Sequence, residues 1–246
     1  MLGKSSAQRR RLRVLPGSFL LLGLLFAIPS QANAQEPTTR NEFWPEVDVY
    51  VNLTSKLRLF VLGTVSKSVE DGELLRGNTS EAQFGIHLDY IRNKHLTIRT
   101  GYRFGTSIGD DDQFKEHRLL SEQVLRKETR WGLAISDRNR EDFRFLNGDF
   151  SFRYRNRVTV EREFQVRNRA FIPYASAEAF FDTRYNVWNK FRFAMGAQIE
   201  LRPGPFSKIP LPKHQPILDI YYARQHDTRS DTPYVNAIGA ALSFHF

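Results

Sequence analysis

Apolar and polar residues alternate with a period of two along most of this chain. "VDVYVNL" sets Val47, Val49, Val51 and Leu53 against Asp48, Tyr50 and Asn52. "EAQFGIHLDY" sets Phe84, Ile86, Leu88 and Tyr90 against Glu81, Gln83, His87 and Asp89. "FSFRYRNRVTV" sets Phe150, Phe152, Tyr154, Val158 and Val160 against Arg153, Arg155 and Arg157. Side chains of a strand point to its two faces in turn, so a period of two predicts strands. The pattern predicts them near 46–53, 56–66, 80–92, 95–107, 114–126, 130–141, 149–162, 171–182, 189–202, 216–226 and 233–246. Most are about 9–14 residues, long enough to cross a bilayer when tilted. Strands of soluble proteins average roughly 5–6.

The connections differ in length. Thr54-Ser55, Asn93-Lys94 and Lys127–Thr129 are tight, whereas "KSVEDGELLRGNT", "SIGDDDQ" and "EDFRFLNGD" are longer and polar. Short turns at one end and longer loops at the other are the plan of an outer-membrane barrel. Residues 67–79, 108–113, 142–148 and 227–232 are then expected outside the cell. A soluble β-sandwich also alternates. Runs of arginine on one face, and aromatics near strand ends (Trp44, Tyr90, Trp131, Tyr174, Trp188, Tyr234), favour the barrel. An open sheet edge is not tolerated in lipid, so the sheet must close. The final "NAIGAALSFHF" fits a closing strand, with Ile238, Leu242, Phe244 and Phe246 on one face. The expected fold is all-β, a closed antiparallel transmembrane β-barrel. Eleven segments are read, and single-chain bacterial barrels have an even number. A short first strand within 35–44 makes twelve; ten is the alternative.

The N-terminus adds a location. Lys4, Arg9, Arg10, Arg11 and Arg13 precede the apolar run "SFLLLGLLFAI" and the small-residue exit Ala32-Asn33-Ala34. These are the three parts of a secretory signal peptide, and the run is too short to span as a helix. The expected organisation is a leader at 1–34, an N-terminal segment at 35–44 and a barrel at 45–246. The chain carries +9 overall; without the five cations of the leader it carries +4. That removes most of the argument for nucleic acid as a partner. There is no cysteine, so neither a disulfide nor a thiol can act.

Candidate chemistry lies on the polar faces. Arg99 and Arg103, Arg138 and Arg140, Arg153, Arg155 and Arg157, and Arg192 point to the predicted lumen, with Glu178, Glu200 and Asp219 from later strands. Glu46, Asp48, Glu81 and Asp89 do so from early ones. Such a lumen is either a structural ladder of opposite charges or the lining of a narrow, porin-like pore. A barrel enzyme, a protease or lipid-modifying activity, is the alternative. Its candidates are Asp110, Asp111 and Asp112 in one predicted outer loop and His226-Asp227 in another, where histidine could serve as a base. His87, His95 and His117 have no metal-ligand spacing. No glycine-rich phosphate loop is present, and no cofactor is expected.

Five stretches in order, "EFWPEVDVYVN", "SDRNREDFRF", "FSFRYRNRV", "IPYASAEAFF" and "NKFRFAMGAQIEL", resemble the family known as domain of unknown function 2490. "PGPFSKIPLPKHQP" (Pro203–Pro216) departs from that pattern by its length. The resemblance implies a bacterial outer-membrane β-barrel and supplies no catalytic residues. Phe246 likewise resembles the terminal aromatic by which such barrels are recognised by their assembly machinery. The expected partners are that machinery, outer-membrane lipid and lipopolysaccharide. The expected state is a monomer in a Gram-negative-type envelope.

Overall fold

The computed structural model describes residues 38–69, 80–108, 114–167, 169–201 and 216–246. Its strands are β1 (Thr39–Asn52), β2 (Leu57–Val69), β3 (Ser80–Asn93), β4 (Leu96–Ser107), β5 (Lys115–Glu128), β6 (Leu133–Leu146), β7 (Asp149–Arg162), β8 (Phe164–Val166), β9 (Arg169–Asp182), β10 (Val187–Glu200), β11 (Ile217–Asp227) and β12 (Tyr234–His245). Successive strands pair antiparallel, and β12 returns to β1, so the sheet closes on itself.

Among the described residues there are twelve strand segments, and eleven go round the barrel. The twelfth is β8, which continues β7. Glu161 of β7 pairs with Tyr174 of β9, and Phe164 of β8 with Phe171, in one unbroken register across Glu163. The extra strand is therefore not a separate one at 35–44; β1 starts at Thr39 and runs straight through.

An odd circuit has a physical consequence. Strands that alternate in direction bring the eleventh back parallel to the first. The seam is accordingly parallel, with Thr39 opposite Tyr234 and Tyr50 opposite His245. This corrects the expectation of a wholly antiparallel barrel. The seam is completed by the last residue. The Phe246 N–H donates to the Tyr50 carbonyl (2.8 Å), and the Asn52 N–H and Nδ2 donate to the Phe246 carbonyl (3.0 and 3.1 Å). Among the described strands no edge is left for lipid to face.

The expected outer loop at 142–148 is also corrected. β6 and β7 continue to Leu146 and from Asp149, joined by Asn147 and Gly148 alone. Both have positive φ (51° and 98°), the two-residue turn whose twist matches that of the flanking strands. The Asn147 side chain accepts from the Lys115 N–H (2.8 Å), which ties the turn to β5. β10 ends and β11 begins at the other rim, and the sequence between them includes the long Pro203–Pro216 run. Loop length thus does not sort cleanly between the two rims. Residues 70–79, 109–113 and 202–215 lie outside the described residues.

The two faces differ as a bilayer requires. Outside, Phe193, Ile238, Phe84 and Leu119 each expose more than half their area (65, 58, 54 and 54%). Cross-strand pairs such as Phe143–Phe152 and Phe145–Phe150 (centroids 5.5 and 5.3 Å) tile this wall. Inside, the buried residues include Asp89, Glu122, Arg140, Asp142, Glu178 and Asp182. Two aromatics expected at the membrane interface face inward instead. Trp44 lies under the Arg192 guanidinium (4.7 Å), and the Tyr174 hydroxyl donates to Asp219 (3.0 Å). Both sit on the polar parity of their strands, where a ring with a polar tip finds a partner.

Candidate functional site: the charged interior

The interior charges come from strand pairing. Arg58, Asp89, Arg99, Glu122, Arg140 and Arg155 lie directly opposite one another on β2 to β7. Paired residues in a sheet share a face, so a charge on each strand becomes a row across six strands. Arg58 and Arg99 both hold Asp89, at 2.7 and 2.6 Å. Glu122 lies 3.8 Å from Arg99, 3.7 Å from Arg138 and 3.8 Å from Arg140. Arg140 and Arg155 are like charges placed opposite. They are reconciled by acids on either side, Asp142 for Arg140 (2.7 Å) and Glu178 for Arg155 (2.8 Å).

Glu178 is the hub of the lattice. Arg138 (2.7 Å), Arg155 (2.8 Å), Arg157 (2.9 Å) and Arg192 (3.8 Å) converge on it from β6, β7 and β10. Its side chain is 1% exposed. A second hub, Asp182 at the end of β9, gathers Arg144 (3.1 Å), Arg153 (2.9 Å) and Arg184 (2.9 Å). Arg144 also reaches Glu116 (2.5 Å), which holds Arg118 (2.8 Å). The planar guanidinium suits this task, since it offers several donors in a fixed fork and stays charged. Arg103 donates to Gln83 (3.4 Å), and Glu200 accepts from the Ala170 N–H (3.1 Å).

Where β12, β1, β2 and β3 meet, the interior is aromatic. His245, Tyr50, Phe60 and His87 are paired in turn and stack with centroids 4.7, 4.5 and 5.1 Å apart. The row ends over Gly101, where a Cβ would meet the His87 ring at 2.5 Å. Arg99 caps it, 4.0 Å above Phe60. Beyond the seam, the Tyr221 ring lies across Gly239, leaving no room for a Cβ, which would sit 2.0 Å from it.

The rim candidates separate. Asp110, Asp111 and Asp112 lie outside the described residues. His226 and Asp227 are neighbours on β11 and so point to opposite faces. His226 stacks on Tyr234 (4.7 Å), while Asp227 pairs with Lys190 (3.0 Å). They form no dyad. His95 Nδ1 lies 3.0 Å from the Arg126 carbonyl, and His117 Nδ1 lies 2.6 Å from the Tyr102 hydroxyl. Several members of the lattice carried no advance signal, among them Glu116, Arg118 and Glu122 on β5. Asp142 and Arg144 were hidden because their segment reads as a loop. Its Asn147-Gly148 pair between alternating phenylalanines is itself a hairpin signal.

A closed all-β barrel with an apolar outer wall and an ion-paired interior is a membrane protein that spans with strands. Within that class the chain belongs to the family described as "Protein of unknown function (DUF2490)", whose model matches residues 29–232. Among solved structures it is similar to LpxR from Salmonella typhimurium, with a TM-score of 0.53 and 10% identity, covering 80% of this chain and 86% of that one. It is also similar to the beta domain of the Bordetella autotransporter Brka, with a TM-score of 0.49 and 14% identity, covering 76% and 83%. No curated protein matches the chain.

Proposed function

We propose that this protein is an outer-membrane β-barrel whose ion-paired interior braces the wall and is closed to solutes. One observation carries the reading. Asp89, Asp142 and Asp182 have side chains 0% exposed, and Glu178 1%, although all four point into the barrel. A continuous aqueous channel past them would leave their oxygens open to water. Opposite charges on neighbouring strands fill the space instead, as the structural ladder requires. Eleven strands also fall between the roughly eight whose interior side chains fill and the 16–18 that enclose a channel.

The reading of the location is supported by the apolar outer wall, by the leader expected at 1–34 from the sequence and by the family. In this reading the Phe246 rim is periplasmic, and Phe246 is the residue met by the barrel-assembly machinery. The outer wall meets lipid and lipopolysaccharide. Conductance of the refolded chain in planar bilayers tests the closed interior. The expected result is a quiet membrane. Reproducible ion-selective steps would instead assign Arg138, Arg155, Arg157 and Glu178 to a pore lining.

A further inference from the structure

The apolar belt of the outer wall is broken at mid-height. On β6 the outward residues run Ile135, then Asp137, Asn139 and Glu141, then Phe143. The strands on either side do the same. Ser121 and Gln123 sit between Leu119 and Leu125 on β5, and Tyr154 and Asn156 sit between Phe152 and Val158 on β7. Pairing joins these positions into one island, with Gln123 opposite Asn139 and Asn139 opposite Asn156. Within it, Asn156 donates to Asp137 (2.6 Å) and to Asn139 (3.1 Å), Gln123 donates to Glu141 (3.3 Å), and Tyr154 donates to Asn139. The two carboxylates therefore meet only neutral amides. No ion pair joins either to a cation among the described residues.

Lipid tails carry no donors, so lipid cannot satisfy this island. A second polar break lies across the barrel, on β11 and β12. There the Tyr222 hydroxyl donates to Asn236 (2.8 Å), and the Arg224 guanidinium lies over the Tyr234 ring (5.1 Å) with no carboxylate paired to it among the described residues. Exposed Ile220 and Ile238 surround it. Glu141 and Arg224 both lie in the half of their strands nearer the Asn147 rim. Beside the acidic island, Ala177 and Ala179 of β9 face outward opposite Val158 and Asn156. Small residues let a second wall approach closely.

We propose that copies of this chain associate side by side in the membrane, the Asp137/Asn139/Glu141 island of one against Tyr222, Arg224 and Asn236 of the next. The inference rests on the bilayer reading above and departs from the expected monomer. A two-fold pairing of island on island would set like charges together, which argues for the head-to-tail contact. Such a contact builds rings or rows.

The natural lack of cysteine allows a direct test. Val158→Cys, beside the island, and Ile220→Cys, beside Arg224, are refolded separately and together into lipid vesicles and treated with a short bis-maleimide. Flotation of the vesicles and a cold electrophoretic shift report insertion independently. The expected result is a cross-linked dimer only when both variants share a vesicle, above the background given by Val158→Cys with Val47→Cys. Adding Asp137→Asn and Glu141→Gln should lower its yield roughly tenfold. Exchanging the charges, Glu141→Arg with Arg224→Glu, should restore it. Cross-linking of Val158→Cys to itself, no dimer above background, or a yield indifferent to the charges would each overturn the contact. Ala177→Cys replaces Val158→Cys if the latter fails to insert. Failure of every cysteine variant to float would overturn the bilayer reading, and this contact with it.

Discussion

The β6–β7 hairpin and the β12–β1 seam both join two long strands, and they do so with different chemistry. The hairpin has a turn built for it, Asn147 and Gly148 at positive φ. Its inner face is largely ionic, and most of its arginines are answered from another strand: Arg140 by Glu122, Arg155 by Glu178, Arg153 by Asp182, while Asp142 pairs with Arg140 of its own strand. The seam has no turn. It is a parallel ladder, the less favourable pairing per residue. Its inner face sets small residues of β12, Ala237, Gly239 and Ala241, beside Glu46 and Asp48 of β1, with Tyr221 laid over the glycine and Tyr50 stacked on His245. The hairpin is thus held through its neighbours, while the seam is held by backbone pairing and ring contact. The strands carrying most of the ionic work are those furthest from the join.

That contrast can be broken most severely at the seam. Removing 234–246 exposes the free edges of β1 and β11, which lipid cannot satisfy. The expected outcome is complete loss of the folded, heat-modifiable band on a cold gel. A folded product would mean that β1 and β11 can close a ten-stranded barrel without it. Next in size is the hub of the ionic side. Glu178→Ala leaves Arg138, Arg155, Arg157 and Arg192 without their shared acid. Taking one partner from a buried pair costs about 3–5 kcal/mol. Urea titration in vesicles should show a loss of that order, and a loss below about 1 kcal/mol would place the hub among screened surface pairs.

Two glycines sharpen the comparison further. Gly239→Ala forces a Cβ into the Tyr221 ring, and overpacking of this kind costs about 1–3 kcal/mol. Gly148→Ala meets no atom within 4 Å, so its cost is conformational alone, about 1–2 kcal/mol at a positive φ. Shortening Tyr221 to leucine should recover much of the first loss and none of the second. Equal rescue of both would show that the glycine under Tyr221 is not a packing site.

Much of the architecture was legible because a barrel writes a period of two into every strand. Alternation located β3, β7 and β10 and placed Arg153, Arg155, Arg157 and Glu178 on one face. The count was harder. Eleven segments were visible, and parity argued for another; the parity argument failed because one parallel seam removes the need for it. The β6–β7 loop was overdrawn because "EDFRFLNGD" is polar at both ends, although its Asn-Gly pair marks a turn. Partners could not be read at all. Nothing in the sequence states that Asp89 lies between Arg58 and Arg99, since register fixes it and register comes from the whole circuit. The polar island escaped for a related reason: Asn139 and Asn156 look like ordinary polar residues until pairing sets them side by side on the wrong face.

The parallel seam also decides where the ends of the barrel are. β1 and β12 start at one rim and finish at the other, so Thr39 and Phe246 stand on opposite sides of the sheet. Thr38 is fastened at its own rim by a hydrogen bond to the Asp231 carbonyl (2.8 Å). An even-stranded barrel would present both ends to one compartment. Here an epitope placed just before Thr39 and another placed after Phe246 would be read from different sides of the same membrane.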